Sequence, residues 1–269
     1  MSAIRRGVAG AAAAATVVMG LMVLVDPAAG EVYELRTYTT NEGKLEDLHA
    51  RFRDHTIRLF AKHGMESIAY WTPAEDDRRS ENTLIYILRH ESREAAKASW
   101  KAFLADPEWK RVAAESQKDG RLLAERPESV FMETTDYSPE IAALKPGDDE
   151  AVFELRVCQT ADGKLGDLDA RFRDHLVEFF RRHGMESVGY WHPVDEPDSR
   201  DTLIYLLRHD NREAAEKSRQ AFLADPAWRA AAKASNAAGR QPSERTQRTF
   251  LKATEYSPRV DAGRLPGGL

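Results

Sequence analysis

The chain has 269 residues, 42% hydrophobic and 31% charged, with a formal net charge of -5 and one cysteine. A disulfide framework is excluded by the lone thiol, and 16 Gly with 12 Pro are too few for a collagen or a low-complexity chain. The length holds one large domain or two ordinary ones, and 39 basic residues interleaved with 44 acidic ones lack the clustered positive charge that nucleic-acid binding needs.

Residues 1–30 differ from the rest. Arg5 and Arg6 precede an apolar run from Val8 to Val25, which ends in Asp26-Pro27-Ala28-Ala29-Gly30. This is the layout of an export signal cut near Gly30, so a periplasmic or secreted protein is expected. The alternative is an uncleaved N-terminal membrane anchor, since the run reaches the lower limit for spanning a bilayer. Cys158 lies far downstream, where a solitary thiol reads as a small buried apolar residue rather than a nucleophile.

From Glu31 onward the chain is duplicated. Val32-Tyr33-Glu34-Leu35-Arg36 recurs as Val152-Phe153-Glu154-Leu155-Arg156, and His63-Gly64-Met65-Glu66-Ser67 recurs as His183 to Ser187. Tyr70-Trp71 recurs as Tyr190-Trp191, and Phe103 to Pro107 recurs as Phe222 to Pro226. The organisation is therefore a signal over 1–30, a first unit over 31–139, a polar linker over 140–150, a second unit over 151–258 and a flexible tail over 259–269.

Each unit repeats one pattern. Alternation over Val32 to Tyr38 predicts a strand. Leu45, Leu48, Phe52, Leu59 and His63 fall on one helical stripe between Asn41 and His63, with Gly64 as the stop. Strands follow over Glu66 to Thr72 and Thr83 to Arg89. Ser92 can cap a helix running to Ala105, Asp106-Pro107 opens another, and Val130 to Thr135 supplies a last strand. The order predicts an α+β fold of two tandem ferredoxin-like (βαββαβ) units.

These residues also carry a resemblance. The opening Tyr-Glu-Leu-Arg-x-Tyr, the Gly-Lys-Leu before the first helix, the His-Gly-Met after it, the Tyr-Trp strand and the Asp-Pro-Glu-Trp before the later helix together resemble the NIPSNAP family, in tandem, over nearly all of residues 31–258. The resemblance implies the dimeric α/β barrel superfamily, with the two units pairing as a pseudo-dimer inside one chain or with counterparts in a second chain as a homo-oligomer. Its implied functions are small-molecule binding or protein assembly, with a cofactor-independent monooxygenase or isomerase as the alternative and haem binding through a duplicated histidine as a third.

Candidate ligand-binding residues follow from strand faces and duplication. Val32, Glu34, Arg36 and Tyr38 share one face of the first strand. If the more apolar opposite face packs on the helices, Glu34 and Arg36 turn into the barrel with their copies Glu154 and Arg156. There they would form an ion-pair network between the sheets or hold an anionic ligand. Tyr70, Trp71 and Tyr86, with Tyr190, Trp191 and Tyr205, pair aromatic groups that fill core or orient a planar apolar ligand. His55 and His175 flank the helical stripe, and His63 and His183 lie on it. Their spacing does not match helical zinc ligands, so no metal is expected. His192 replaces Thr72, and His49 is replaced by Asp169. That asymmetry points to one specialised pocket or to drift at the surface.

Overall fold

The computed structural model describes residues 30–144, 151–237 and 245–261. The expected export segment therefore lies outside the described residues, as do most of the linker and the end of the tail. Among the described residues no helix is long and apolar enough to cross a membrane.

The first unit runs β1 (Val32–Thr39), α1 (Leu45–Arg51), a π-helical turn (Phe52–Thr56), α2 (Ile57–Lys62), β2 (Glu66–Pro73), β3 (Thr83–His90), α3 (Arg93–Ala105), α4 (Pro107–Glu115) and β4 (Glu128–Thr134). The helix expected from Asn41 starts at Leu45, because Asn41 accepts from the Lys44 amide and Gly43 turns the chain at φ 70°. The π turn interrupts the helix after Arg51. Within it the Thr56 hydroxyl donates to the Arg51 carbonyl at 3.1 Å. Ser92 and Asp106 cap their helices as expected, accepting from the amides of Ala95 (3.0 Å) and Glu108 (2.7 Å).

After a short β5 (Ala142–Leu144), the second unit repeats the series: β6 (Val152–Gln159), α5 (Leu165–Arg171), a second π turn (Phe172–Leu176), α6 (Val177–Arg182), β7 (Glu186–Pro193), β8 (Thr202–His209), α7 (Arg212–Ala224), α8 (Pro226–Ala237) and β9 (Arg245–Ala253). A final β10 (Arg259–Asp261) pairs with β5, so part of the linker and part of the tail form a small two-stranded sheet.

The eight long strands close into one antiparallel barrel in the order β1-β3-β2-β9-β6-β8-β7-β4. Each unit contributes four neighbouring strands, and the seams β2–β9 and β4–β7 join the units within the single chain. The seams are matched. Thr254 donates to the Tyr70 carbonyl at 2.9 Å as Thr135 donates to the Tyr190 carbonyl at 3.0 Å. Closure leaves no edge among these strands, which removes the aggregation-prone surface that each half alone would present.

Three apolar clusters hold the molecule. One fills the barrel interior with residues of both units, including Tyr33, Leu35, Trp71, Phe153, Leu155 and Trp191. The other two lie between each unit's sheet and its helices. In the first unit Phe52, Phe60, Tyr70, Tyr86 and Phe103 meet edge-on, tilted or stacked, with Tyr70 and Tyr86 centroids 5.3 Å apart.

Candidate functional site

The inner surface is set by strand alternation. Tyr33, Leu35 and Thr37 of β1 and Phe153, Leu155 and Val157 of β6 point into the barrel. Large rings close the middle: Trp191 packs on Tyr33 at 5.8 Å and Trp71 on Phe153 at 5.6 Å. Toward the end where β1 and β6 leave the barrel, the inward side chains become shorter. A cavity of about 230 Å³ opens there. Its floor is apolar and drawn from both units: Leu35, Ile85, Val130, Leu155, Val157 and Ile204.

The rim of this cavity is polar and unlike on its two sides. Arg79 and Asp198 occupy corresponding positions of the duplication, as do Glu128 and Gln247. The pseudo-twofold axis thus sets a cation against an anion and a carboxylate against an amide. Arg79 is anchored, donating to Asp77 at 2.7 Å and across the seam to Thr249 at 2.9 Å. A planar molecule entering the mouth would meet an apolar floor and different hydrogen-bonding groups at its two edges.

Glu34 and Arg36 do not face this cavity, contrary to the expectation from the first strand. They point outward into the layer beneath α3, and so do Glu154 and Arg156 beneath α7. The physical reason is that the interior of a closed barrel is the drier compartment and takes Tyr33 and Leu35, while the helix layer can satisfy a charge. Glu34, 1% exposed, accepts from Arg36 (2.5 Å), Ser129 (2.6 Å) and Trp100 (2.7 Å), and its second oxygen lies 3.2 Å from His90 Nε2. Burial pushes the Glu34 carboxyl up, but the His90 contact, the Arg36 charge and the two other donors outweigh it and bring it to about 2.

The second copy keeps the glutamate, the arginine and the histidine but changes the rest. Glu154 accepts from Arg156 (2.7 Å) and Arg248 (2.5 Å) and lies 3.2 Å from His209. Arg219 and Arg248 stand where the first unit has Trp100 and Ser129. Desolvation is again outweighed, by His209 and Arg156 above all, and Glu154 is held far below the ordinary carboxylate range. The networks lie within each unit, so they do not fix the register between the two halves. Histidine and arginine converge on one carboxylate in each copy, yet in a filled layer rather than a cavity.

The remaining candidates separate. Tyr70, Tyr86, Tyr190 and Tyr205 belong to the helix-side clusters, whereas Trp71 and Trp191 sit inside the barrel, where neither indole N–H meets an acceptor. His55 is exposed on a groove beside α4, and His175 is half-buried. His63 and His183 contact Asp106 (2.7 Å) and Asp225 (2.9 Å), the residues just before α4 and α8. Among the described residues no group of three or more His, Cys, Asp or Glu is placed to hold a metal ion.

The asymmetric histidines have a shared task. His49 Nδ1 lies 2.6 Å from the Tyr256 hydroxyl, while Tyr137 donates to Asp169 at 2.7 Å and His192 stands 2.9 Å from the same carboxylate. Each unit's terminal tyrosine is therefore held by a helix residue of the other unit, and the chemistry of the holder has been exchanged.

His90, His209, Trp100 and Arg51 were not among the sequence candidates. The repeat of Leu88-Arg89-His90 as Leu207-Arg208-His209 was a visible signal for the first two. Arg51 and Arg171 also repeat, within Arg-Phe-Arg-Asp-His, but their burial depends on packing against Trp109 and Trp228 that no local pattern reveals.

No curated protein matches the chain in sequence. Among solved structures the barrel is similar to that of an anthrone oxidase-like protein (TM-score 0.54, 15% identity, 89% of this chain and 97% of that chain covered). It is also similar to two proteins provisionally described as monooxygenases. The one from Fusobacterium nucleatum subsp. nucleatum has a TM-score of 0.55 and 11% identity, covering 90% of this chain and 97% of that one. For the one from Lactobacillus acidophilus NCFM the values are 0.53 and 13%, with 83% and 94% covered. At these identities the likeness is one of fold. The NIPSNAP family model matches residues 33–139 and 153–258. With both halves of the barrel matched, the chain belongs to the NIPSNAP family as a tandem of two NIPSNAP repeats.

Proposed function

We propose that this protein binds a small, planar, predominantly apolar molecule at the barrel mouth. The observation that carries the reading is the cavity of about 230 Å³ with a floor from both units and a rim of unlike polar groups. Each unit is read as ferredoxin-like, so a single-unit relative would need two chains to complete such a mouth. Fusion in one chain allows Arg79 and Asp198 to differ, which a homodimer cannot do. The charged segment before Val8 and the apolar run to Val25 support an exported protein.

A second reading adds chemistry to the same site. Barrels of similar fold include an anthrone oxidase-like protein and provisional monooxygenases. Oxygenation of a bound aromatic guest would then be the activity, and oxygen consumption in the presence of an anthrone would report it.

The binding reading is tested by fluorescence titration with 2-naphthol, an uncharged planar probe. The native protein should saturate, and Val157→Trp, which fills the cavity floor, should abolish saturation while keeping the fold. Equal binding by both proteins would remove the mouth as the site.

A further inference from the structure

A different part of the molecule holds a buried arginine beside a second pocket. Arg51 closes α1 and is only 6% exposed. Its guanidinium lies 5.2 Å from the Trp109 ring, and its Nε meets no acceptor. No carboxylate pairs with it among the described residues. A guanidinium cannot shed its proton, so burying one without an anion costs several kcal/mol in the fold. A pocket of about 330 Å³ opens beside it. Arg121 and Arg126 stand exposed at its edge, Glu125 is the one acidic residue in its lining, and Leu123 and Pro127 supply apolar wall.

We infer that this pocket of the first unit binds a small organic anion, with its carboxylate on Arg51 and its apolar body against Leu123 and Pro127. Arg121 and Arg126 add attraction at the entrance without being desolvated.

The second unit supplies the internal comparison. Arg171 occupies the corresponding position, equally buried and 5.1 Å over Trp228, but its Nη1 donates to the Asn236 side chain at 2.9 Å. Asn236 lies on α8, which runs to Ala237. The corresponding α4 stops at Glu115, and the equivalent Gln117 side chain turns back to donate to the Ala113 carbonyl at 3.0 Å. One unit therefore completes its arginine with its own amide. The other leaves it for a ligand. The pocket lies on the helix side of the sheet and shares no lining residue with the barrel mouth.

The test is calorimetric titration of the full chain carrying Val157→Trp, whose barrel mouth is filled, with 2-naphthoate at low ionic strength, repeated with 2-naphthamide and with inorganic phosphate. The further variants are made in this background, and their 2-naphthol binding is read in the native one. Naphthoate should bind with one equivalent, more weakly as salt is added, and the uncharged amide should not bind at this site. Arg51→Gln should weaken naphthoate at least tenfold and leave 2-naphthol binding at the mouth unchanged. Arg171→Gln should leave both unchanged. The exposed double variant Arg121→Gln/Arg126→Gln, which has no fold to lose, should weaken naphthoate about threefold or more and flatten its salt dependence. Absence of naphthoate binding, equal loss with Arg171→Gln, or indifference to the double variant would overturn the site. Phosphate binding in place of naphthoate would overturn the organic-acid assignment.

Discussion

His90 Nε2 lies 3.2 Å from the Glu34 carboxylate, on neighbouring strands β3 and β1, with both side chains at most 1% exposed, and His209 repeats the contact with Glu154 at the same distance. The two copies keep this pair and its arginine and change the other groups around them. Its energetic role is therefore the first thing to measure.

Glu34 titrates near 2 in the folded protein and near the ordinary 4.5 when unfolded. Its stabilisation is complete above about pH 4.5 and is lost as pH falls toward about 2, amounting to about 3 kcal/mol. Urea denaturation of Glu34→Gln should show a loss of about 3 kcal/mol at pH 7, because Arg36 is left buried without its anion. The gap between variant and native protein should narrow between pH 4.5 and 2. A constant gap over that range would mean that ionisation of Glu34 does not stabilise the fold.

The exchanged tyrosines should tie the units together. Tyr137→Phe removes the donor to Asp169 and Tyr256→Phe removes the contact with His49. Each should cost about 1 kcal/mol in thermal unfolding, with additive effects because the two sites lie on opposite seams. Tyr137→Phe should cost more once the His192 contact to Asp169 is also removed.

Gly189 tests packing inside the barrel. A Cβ at this position would overlap the Trp191 ring, whereas the first unit tolerates Ala69 at the corresponding place. Gly189→Ala should destabilise by about 1–3 kcal/mol and change the near-UV circular dichroism of Trp191. Ala69→Gly should produce no comparable spectral change.

Separated units should re-form a closed barrel with each other's copies. Residues 30–144 alone would expose the seam edges of β2 and β4 together with the apolar inner face. Sedimentation should find a homodimer, and mixing both halves should yield a heterodimer as well. A stable monomer of the isolated first unit would contradict the role given to the seams.

Much of the fold was legible in the sequence because its signals are local. The Ser92 and Asp106 caps, the Gly64 stop and the alternating strands are set within a few residues. The resemblance to the NIPSNAP family then implied paired sheets. The face of β1 was not legible, since Tyr33-Leu35 and Glu34-Arg36 alternate equally well in either orientation. What decides is that Trp100, His90 and Ser129, distant in sequence, converge on Glu34 from the helix side. The cavity was hidden for a related reason: its lining spans both units, and only closure of the barrel sets Thr37, Val130 and Val157 around one space. The short β5–β10 pair likewise depends on the linker and the tail being brought together by that closure.

The most direct measurement of the central claim is a crystal structure of the protein grown with 2-naphthol. The account predicts ring density on the floor formed by Leu35, Ile85 and Leu155, with the hydroxyl directed to one side of the rim between Arg79 and Asp198. A mouth holding only solvent at saturating 2-naphthol, or a probe bound elsewhere on the chain, would contradict it.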